Sequence, residues 1–241
     1  MAERVRVQKA MSAAGVMSRR AAEEAIVAGR VAIDGVDAVL GDRIDVTTQT
    51  LTLDEIPITV DPETETHLLY KPVGVISTAH DPQGRPTVVE LVASSRRLYP
   101  VGRLDIDSEG LLMVSNDGEL TNRVTHPRYG ITKTYLARVE GRVGTPTVRR
   151  LTTGVELDDG PARAVRATLV DVGADSSLVE LVMVEGRNRE VRRMMSSVGH
   201  EVLELVRTAI GPITDPGLQP GTSRRLTSDE LRQLLSSGHP S

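Results

Sequence analysis

The reading of this chain turns on Gly102-Arg103-Leu104-Asp105-Ile106-Asp107-Ser108-Glu109-Gly110-Leu111-Leu112-Met113-Val114. An acidic loop runs straight into a short apolar strand, and Asn116-Asp117-Gly118 closes that strand with a turn signal. Asp105 sits between Leu104 and Ile106 at the strand's mouth. A carboxylate flanked by apolar side chains there is a candidate active-site acid, base or nucleophile. Spacing alone favours the plainer alternative, that Asp105, Asp107 and Glu109 are solvated loop acids.

Downstream, Glu119 to Thr125 reads as a short helix. Thr132 to Val139 alternates as a strand, with Lys133, Tyr135, Ala137 and Val139 on one side. Residues 144–153 read as a helix, with Pro146 tolerated in its first turn. Asp158-Asp159-Gly160 marks a hairpin turn, with strands at 162–172 and 178–184. A helix then starts within Glu185 to Met195, with Val191, Met194, Met195 and Val198 as its core stripe. Its arginine rows fit either a solvated basic face or a surface that holds a carboxylate and a phosphate. A strand at 201–210 precedes the Gly211-Pro212 break. Thr227-x-x-Glu230 is a capping box for a helix from Ser228 to Leu235. The pattern is α+β: a mixed, mainly antiparallel sheet with flanking helices.

Upstream, His67 to Lys71 reads as a strand, Lys71-Pro72-Val73-Gly74 as a turn, and Thr87 to Ala93 as a short helix. The N-terminal region reads as a helix over residues 4–14, stopped by Gly15. A second helix runs from an N-cap at Ser18 to Ala28, with Gly29 at C′. Val31-Ala32-Ile33 and the Asp34-Gly35 turn then open a hairpin. The expected organisation is a small module at 1–60, a polar linker at 61–66, a larger domain at 67–236 and a disordered tail at 237–241.

The 241 residues carry 29 basic and 33 acidic side chains, for a net charge of −4. That balance argues weakly against nucleic acid, but the argument applies to the contacting face and not to the whole chain. Basic residues do cluster. Residues 1–32 hold six Arg and Lys against three Glu, and residues 187–193 hold four Arg against one Glu. The absence of Cys excludes disulfides and thiolate metal sites, and the five His lack metal-ligand spacing. There is no Phe or Trp, so stacking roles fall to Tyr70, Tyr99, Tyr129 and Tyr135. No stretch approaches transmembrane length and Met1 to Arg6 has no apolar signal core, so the expected compartment is the cytoplasm.

Two resemblances sharpen this picture. Gly102-Arg103-Leu104-Asp105 with Asp107-Ser108-Glu109-Gly110-Leu111-Leu112 resembles the signature of the RNA pseudouridine synthases, in the RsuA/RluB branch that modifies ribosomal RNA. The Lys71-Pro72-Val73-Gly74 turn, the Lys133-Thr134-Tyr135 strand and the Glu185 to Met195 segment resemble further motifs of that family, in the same order. Val7 to Ala21 with Ile26 to Val31 and Asp34-Gly35 resembles an S4 RNA-binding domain. Asp34 stands where Asn is more usual, and Glu190 where the family pattern has Gln.

The resemblance implies isomerisation of uridine to pseudouridine in ribosomal RNA. Gly186-Arg187-Asn188-Arg189 resembles the group that acts on 23S rRNA more than the group that acts on 16S rRNA. It implies that Asp105 is the catalytic residue, that Tyr135 stacks on the target base, and that Arg192 pairs with Asp105. It implies no cofactor and no metal, since the reaction is neither a redox step nor a net hydrolysis. Lys9, Arg19, Arg20, Arg30, Lys71, Arg103, Arg187 and Arg189 are the expected RNA contacts. The implied partner is ribosomal RNA within pre-ribosomal particles, with a monomeric enzyme and no membrane. Two other classes are weighed against it. A non-catalytic RNA-binding assembly protein leaves Asp105, Tyr135 and Arg192 without a purpose. A glycoside hydrolase using Asp105 and Glu109 conflicts with the basic N-terminal module and the scarcity of aromatic residues.

Overall fold

The computed structural model describes residues 4–59 and 63–238. The chain divides into two compact units. One comprises the residues up to Thr64 with Ser94–Arg97, and the other Glu65–Ala93 with the residues from Leu98 onward.

The N-terminal unit runs β1 (Val5–Arg6), α1 (Val7–Ala13), α2 (Arg19–Val27), β2 (Val31–Ile33), β3 (Val36–Asp37), β4 (Arg43–Ile44), β5 (Leu51–Leu53) and β6 (Ile56–Ile58). Ser18 caps α2 by accepting from the Ala21 N–H at 3.2 Å. The two helices bury Val7, Met11, Ala22 and Ile26 against Val31, Ile44 and Leu51. Strands β3-β2-β5-β6 form the larger of this unit's two described sheets, and β1 pairs with β4 in the other. Asp34 (φ 51°) and Gly35 (φ 82°) both take positive φ, as a type I′ hairpin turn requires. One expectation fails locally. Val5 and Arg6 pair with Ile44 and Arg43 as a strand instead of opening the helix. Arg6 sits extended and offers no side-chain cap, so helical backbone starts only at Val7.

The larger unit continues with β7 (Thr66–Lys71), β8 (Tyr99–Val101), β9 (Glu109–Ser115), α3 (Gly118–Thr125), β10 (Lys133–Glu140), α4 (Thr145–Thr153), β11 (Val155–Leu157) and β12 (Gly160–Ala162). It ends with β13 (Arg166–Val172), β14 (Ser176–Met183), α5 (Glu190–Ser197), β15 (Val202–Ile210), β16 (Ser223–Arg225) and α6 (Ser228–Ser236). Its eight-stranded sheet has the order β13-β14-β10-β15-β9-β7-β16, with β8 also on β9. Every pair is antiparallel except β15 with β9. This is a mixed α/β architecture around a large, mainly antiparallel sheet.

The apolar run of β9 has a direct cause. Leu111 and Met113 enter one core with Leu68, Leu120 and Leu234, while Leu112 and Val114 enter a second with Leu69, Val88 and Leu104. A strand covered on both faces cannot alternate with polar residues. On β10 the alternation is real: Ala137 and Val139 are fully buried in a third core with Met194 and Met195 of α5.

Three further expectations need correction. Thr87 to Ala93 is not a helix. Thr87 bridges Ile76, its N–H goes to the Glu90 carboxylate at 3.0 Å, and the Val88 N–H goes to the Ile76 carbonyl. A seven-residue segment rich in β-branched residues gains little from helix nucleation, so these tertiary partners win. Thr66 is not linker: it is buried as the first residue of β7, and its hydroxyl meets that of Ser115 at 2.8 Å. Ser237 and Gly238 are not a loose tail. The Ser237 N–H bonds the Gln233 carbonyl, and a Cβ on Gly238 would fall 2.1 Å from the Tyr129 carbonyl. Residues 60–62 of the expected module and linker, and 239–241 of the expected tail, lie outside the described residues.

Candidate active site

Strand β9 has β7 along one edge. On its other edge β15 pairs at Glu109 and Gly110, and β8 at Met113 to Ser115. The loop 102–108 therefore leaves β8 and re-enters the sheet at the mouth of β9. Gly110 makes the parallel junction possible, because a Cβ there would lie 2.3 Å from the Arg207 carbonyl oxygen.

The loop is held at four points. Leu104 is buried, and its backbone exchanges two hydrogen bonds with Ser77: the Ser77 hydroxyl donates to the Leu104 carbonyl at 2.8 Å and accepts from the Leu104 N–H at 3.1 Å. The Gly74 N–H donates to the Ile106 carbonyl at 2.8 Å. The Lys71 ammonium donates to the carbonyls of Ser108 at 2.7 Å and Pro72 at 2.9 Å. Arg192 donates from Nη2 to the Asp107 carbonyl and from Nη1 to the Val202 carbonyl, both at 2.9 Å. A turn closed by the Ser108 N–H on the Asp105 carbonyl, at 3.1 Å, then presents the Asp105 side chain.

That side chain is 30% exposed, and its carboxylate receives no hydrogen bond among the described residues. Its one ion contact among the described residues is Arg189, whose Nη1 lies 3.9 Å from Asp105 Oδ2. Asp107, by contrast, is gripped by both guanidinium nitrogens of Arg189, at 3.2 and 2.9 Å. Burial pushes the Asp107 carboxyl up, but the Arg189 hydrogen bonds and the nearby Arg192 charge outweigh it and hold the group below the usual carboxylate range. Arg189 occupies the residue before α5 with φ 48°, a left-handed conformation that costs a non-glycine residue energy. Asp105, Tyr135, Asn188, Arg189 and Leu205 line one cleft of 190 Å³. Tyr135 is half-buried, and its hydroxyl accepts from Arg207 Nη1 at 3.4 Å.

Several residues are placed differently from expectation. Arg192 is not the ion partner of Asp105. Helix α5 starts at Glu190, so Arg192 lies within its first turn: it bonds the backbone of Asp107 and reaches that residue's carboxylate, Nε to Oδ2 at 3.5 Å, while Arg189 at the cap reaches the carboxylates of both Asp105 and Asp107. Lys71 does not meet solvent: it is fully buried under the loop, and burial pulls its ammonium down to about 8. The guanidinium of Arg187 is engaged by Glu190, Asp159 and the Pro161 carbonyl. Arg30 pairs with Asp54, Nε to Oδ1 at 2.8 Å. Glu190 does not project its charge into the cleft unopposed, because its carboxylate accepts from the Arg187 N–H and Nε–H at 3.1 and 3.0 Å. Lys9 of α1, Arg19 and Arg20 of α2, and Arg103 of the acidic loop make no side-chain hydrogen bond or ion pair among the described residues.

Sequence reasoning passed over Arg207 and named Lys133 only as part of the Tyr135 strand. Both are buried. Arg207 donates to the Leu111 carbonyl at 2.6 Å, and Lys133 to the carbonyls of Val124 and Ile131 at 2.8 Å each. The available signal for Arg207 was parity, since it shares a strand face with the buried Leu205.

Comparison with known proteins places the chain in a family. A family model described as RNA pseudouridylate synthase matches residues 65–197. The chain belongs to that family. It is 44% identical to an uncharacterised RNA pseudouridine synthase of Mycobacterium leprae, over 95% of this chain and 92% of that protein. It is 41% identical to the ribosomal large subunit pseudouridine synthase B of Bacillus subtilis, over 95% of each. A crystal structure of a pseudouridylate synthase superposes with a TM-score of 0.67 and 28% identity, covering 95% of this chain and 99% of the other.

Proposed function

We propose that this protein converts a uridine of large-subunit (23S) ribosomal RNA to pseudouridine, with Asp105 as the catalytic carboxylate. The observation that carries the reading is the state of Asp105. Its carboxylate is free of hydrogen bonds among the described residues, sits 3.9 Å from Arg189, and lines a cleft that Tyr135 also lines. The reaction breaks the bond from uracil N1 to the ribose C1′ and joins C5 to C1′. C5 gives up its proton and N1 takes one, so no atom is gained or lost. Such a step needs a carboxylate with open lone pairs beside the glycosidic bond. It also needs the base out of its stack, where Tyr135 can lie against it. A nearby guanidinium favours the ionised form of such an acid, and the position of Arg189 suits that role better than that of Arg192.

The N-terminal unit is read as an S4-type RNA-binding module, with Lys9, Arg19 and Arg20 contributing sequence-tolerant phosphate contacts. In this reading a monomer acts in the cytoplasm on RNA within an assembling large subunit. No described helix is long and apolar enough to cross a membrane.

Pseudouridine mapping tests the proposal, by carbodiimide labelling and reverse-transcriptase stops in ribosomal RNA from cells with and without the gene. A 23S stop lost on deletion, restored by the wild-type gene and not by Asp105→Asn, is the expected result. A change confined to 16S rRNA overturns the target, and restoration by Asp105→Asn overturns the catalytic assignment.

A further inference from the structure

Beside the Asp105 cleft lies a second, smaller chamber of about 90 Å³. Gly102, Arg103, Tyr135 and Gly186 line both spaces, so Tyr135 stands where the two meet. Their chemistry differs. The cleft carries the carboxylates Asp105, Glu185 and Glu190 among its arginines. The chamber is bordered by Arg103, Lys133 and Arg207, and by no acid among the described residues.

Two of those cations are built into the sheet. Arg207 is 4% exposed; Nε holds the Leu111 carbonyl, Nη1 reaches the Tyr135 hydroxyl, and Nη2 is buried without a partner among the described residues. An unpartnered buried donor on a charged group costs stability unless something else satisfies it. Lys133 is 9% exposed, and its ammonium is held by two carbonyls, neither of which neutralises its charge. Strand register fixes this arrangement: Arg207 pairs with Gly110 on one side and Tyr135 on the other.

We propose that the chamber is a phosphate subsite, which takes a backbone phosphate adjacent to the uridine whose base enters the Asp105 cleft. The inference rests on the reading of this protein as a uridine-modifying enzyme. A flipped nucleotide carries its charge within a few bonds of the base, so the base site needs an anion site beside it. A guanidinium with free donors and an unneutralised ammonium recognise phosphate, and a neutral uracil carbonyl needs neither charge.

The test compares ligands on the intact protein. Uridine, uridine 3′-monophosphate and uridine 5′-monophosphate are titrated at low salt, following heat of binding and the Arg207 Nε–Hε resonance. The expected result is about tenfold tighter binding of at least one monophosphate than of uridine, with the Arg207 signal moving only for the phosphate. Arg207→Lys should lose most of that preference, because a point charge does not replace the planar fork. Equal binding of all three ligands, an unmoved Arg207 signal, or no phosphate-dependent binding overturns the proposal. Because the ligand is varied as well as the protein, the result stands even if an Arg207 variant fails to fold. Phosphate-dependent binding with no pseudouridine formed in cells would leave the subsite and remove the enzymatic reading. Pseudouridine formed without phosphate preference would do the reverse.

Discussion

Arg192 reaches across from α5 and donates 2.9 Å hydrogen bonds to the carbonyls of both Asp107 and Val202, tying the acidic loop to β15 through main-chain atoms. Its contribution is therefore to position the loop, while Arg189 supplies the charge beside Asp105. Arg192→Lys keeps the charge but cannot span both carbonyls. It should lower kcat about 10²-fold with KM nearly unchanged, the signature of a misplaced catalytic group. Steady-state kinetics on the mapped RNA site checks this, and a change confined to KM would contradict it.

Asp105→Asn should abolish turnover, by about 10⁴-fold or more, since an amide supplies neither charge nor a comparable nucleophile. The same substitution should move the folding free energy by no more than about 0.5 kcal/mol, because the carboxylate makes no hydrogen bond among the described residues that folding could lose. Denaturant melts beside single-turnover assays separate the two effects.

Lys71 gives a pH signature. Its ammonium is lowered from 10.5 to about 8 by burial, partly opposed by Asp105, Asp107 and Glu109. The folded chain therefore releases this proton before the unfolded chain does. Between pH 8 and 10.5 the unfolded state binds the extra proton, so this group makes stability rise with pH across that window. Lys71→Met should remove that rise, which is on the order of 3 kcal/mol. It should also slow turnover by loosening the Ser108 carbonyl. Melts of both proteins at pH 7, 9 and 10.5 read the difference directly, and parallel curves would count against it.

Gly110→Ala should be among the most damaging single substitutions. The new Cβ would lie 2.3 and 2.6 Å from the Arg207 carbonyl oxygen and nitrogen, with φ at 106°. Neither backbone can yield without breaking the only parallel junction among the described strands, so a loss of about 4 kcal/mol or more is expected. Thermal melts, or recovery of soluble protein, test it.

Glu230 caps α6 with Thr227 and pairs with Arg224, whose Nη2 is 2.7 Å from Oε1. The Arg224 hydrogen bonds come first among the causes that hold its carboxyl down at about 2, against an ordinary 4.5. A lowered carboxylate adds stability above pH 4.5, and that stability is lost as pH falls towards 2. Because the pair is partly exposed, Glu230→Gln should cost only about 1–2 kcal/mol at pH 7. It should also flatten the acid limb of stability between those pH values.

The sequence by itself determined a good deal. Asp105 at the mouth of an apolar strand, the Tyr135 strand, the α5 core stripe, the Ser18 cap and the Thr227–Glu230 capping box are local patterns, and each is present where the residues indicate. Such signals work because they depend on a few neighbouring residues and on one period. Partner choice was settled only by the tertiary structure. Whether Arg189 or Arg192 meets Asp105 depends on where α5 starts, within a run of arginines that pattern cannot separate. Whether Lys71 is exposed or buried depends on a loop some 35 residues away folding over it. The row formed by Lys71, Gly110, Arg207 and Tyr135 comes from four different strands, and only the register of the sheet brings it together. Periodicity reports which side of its own element a residue faces, and the charge it meets there is set by long-range packing.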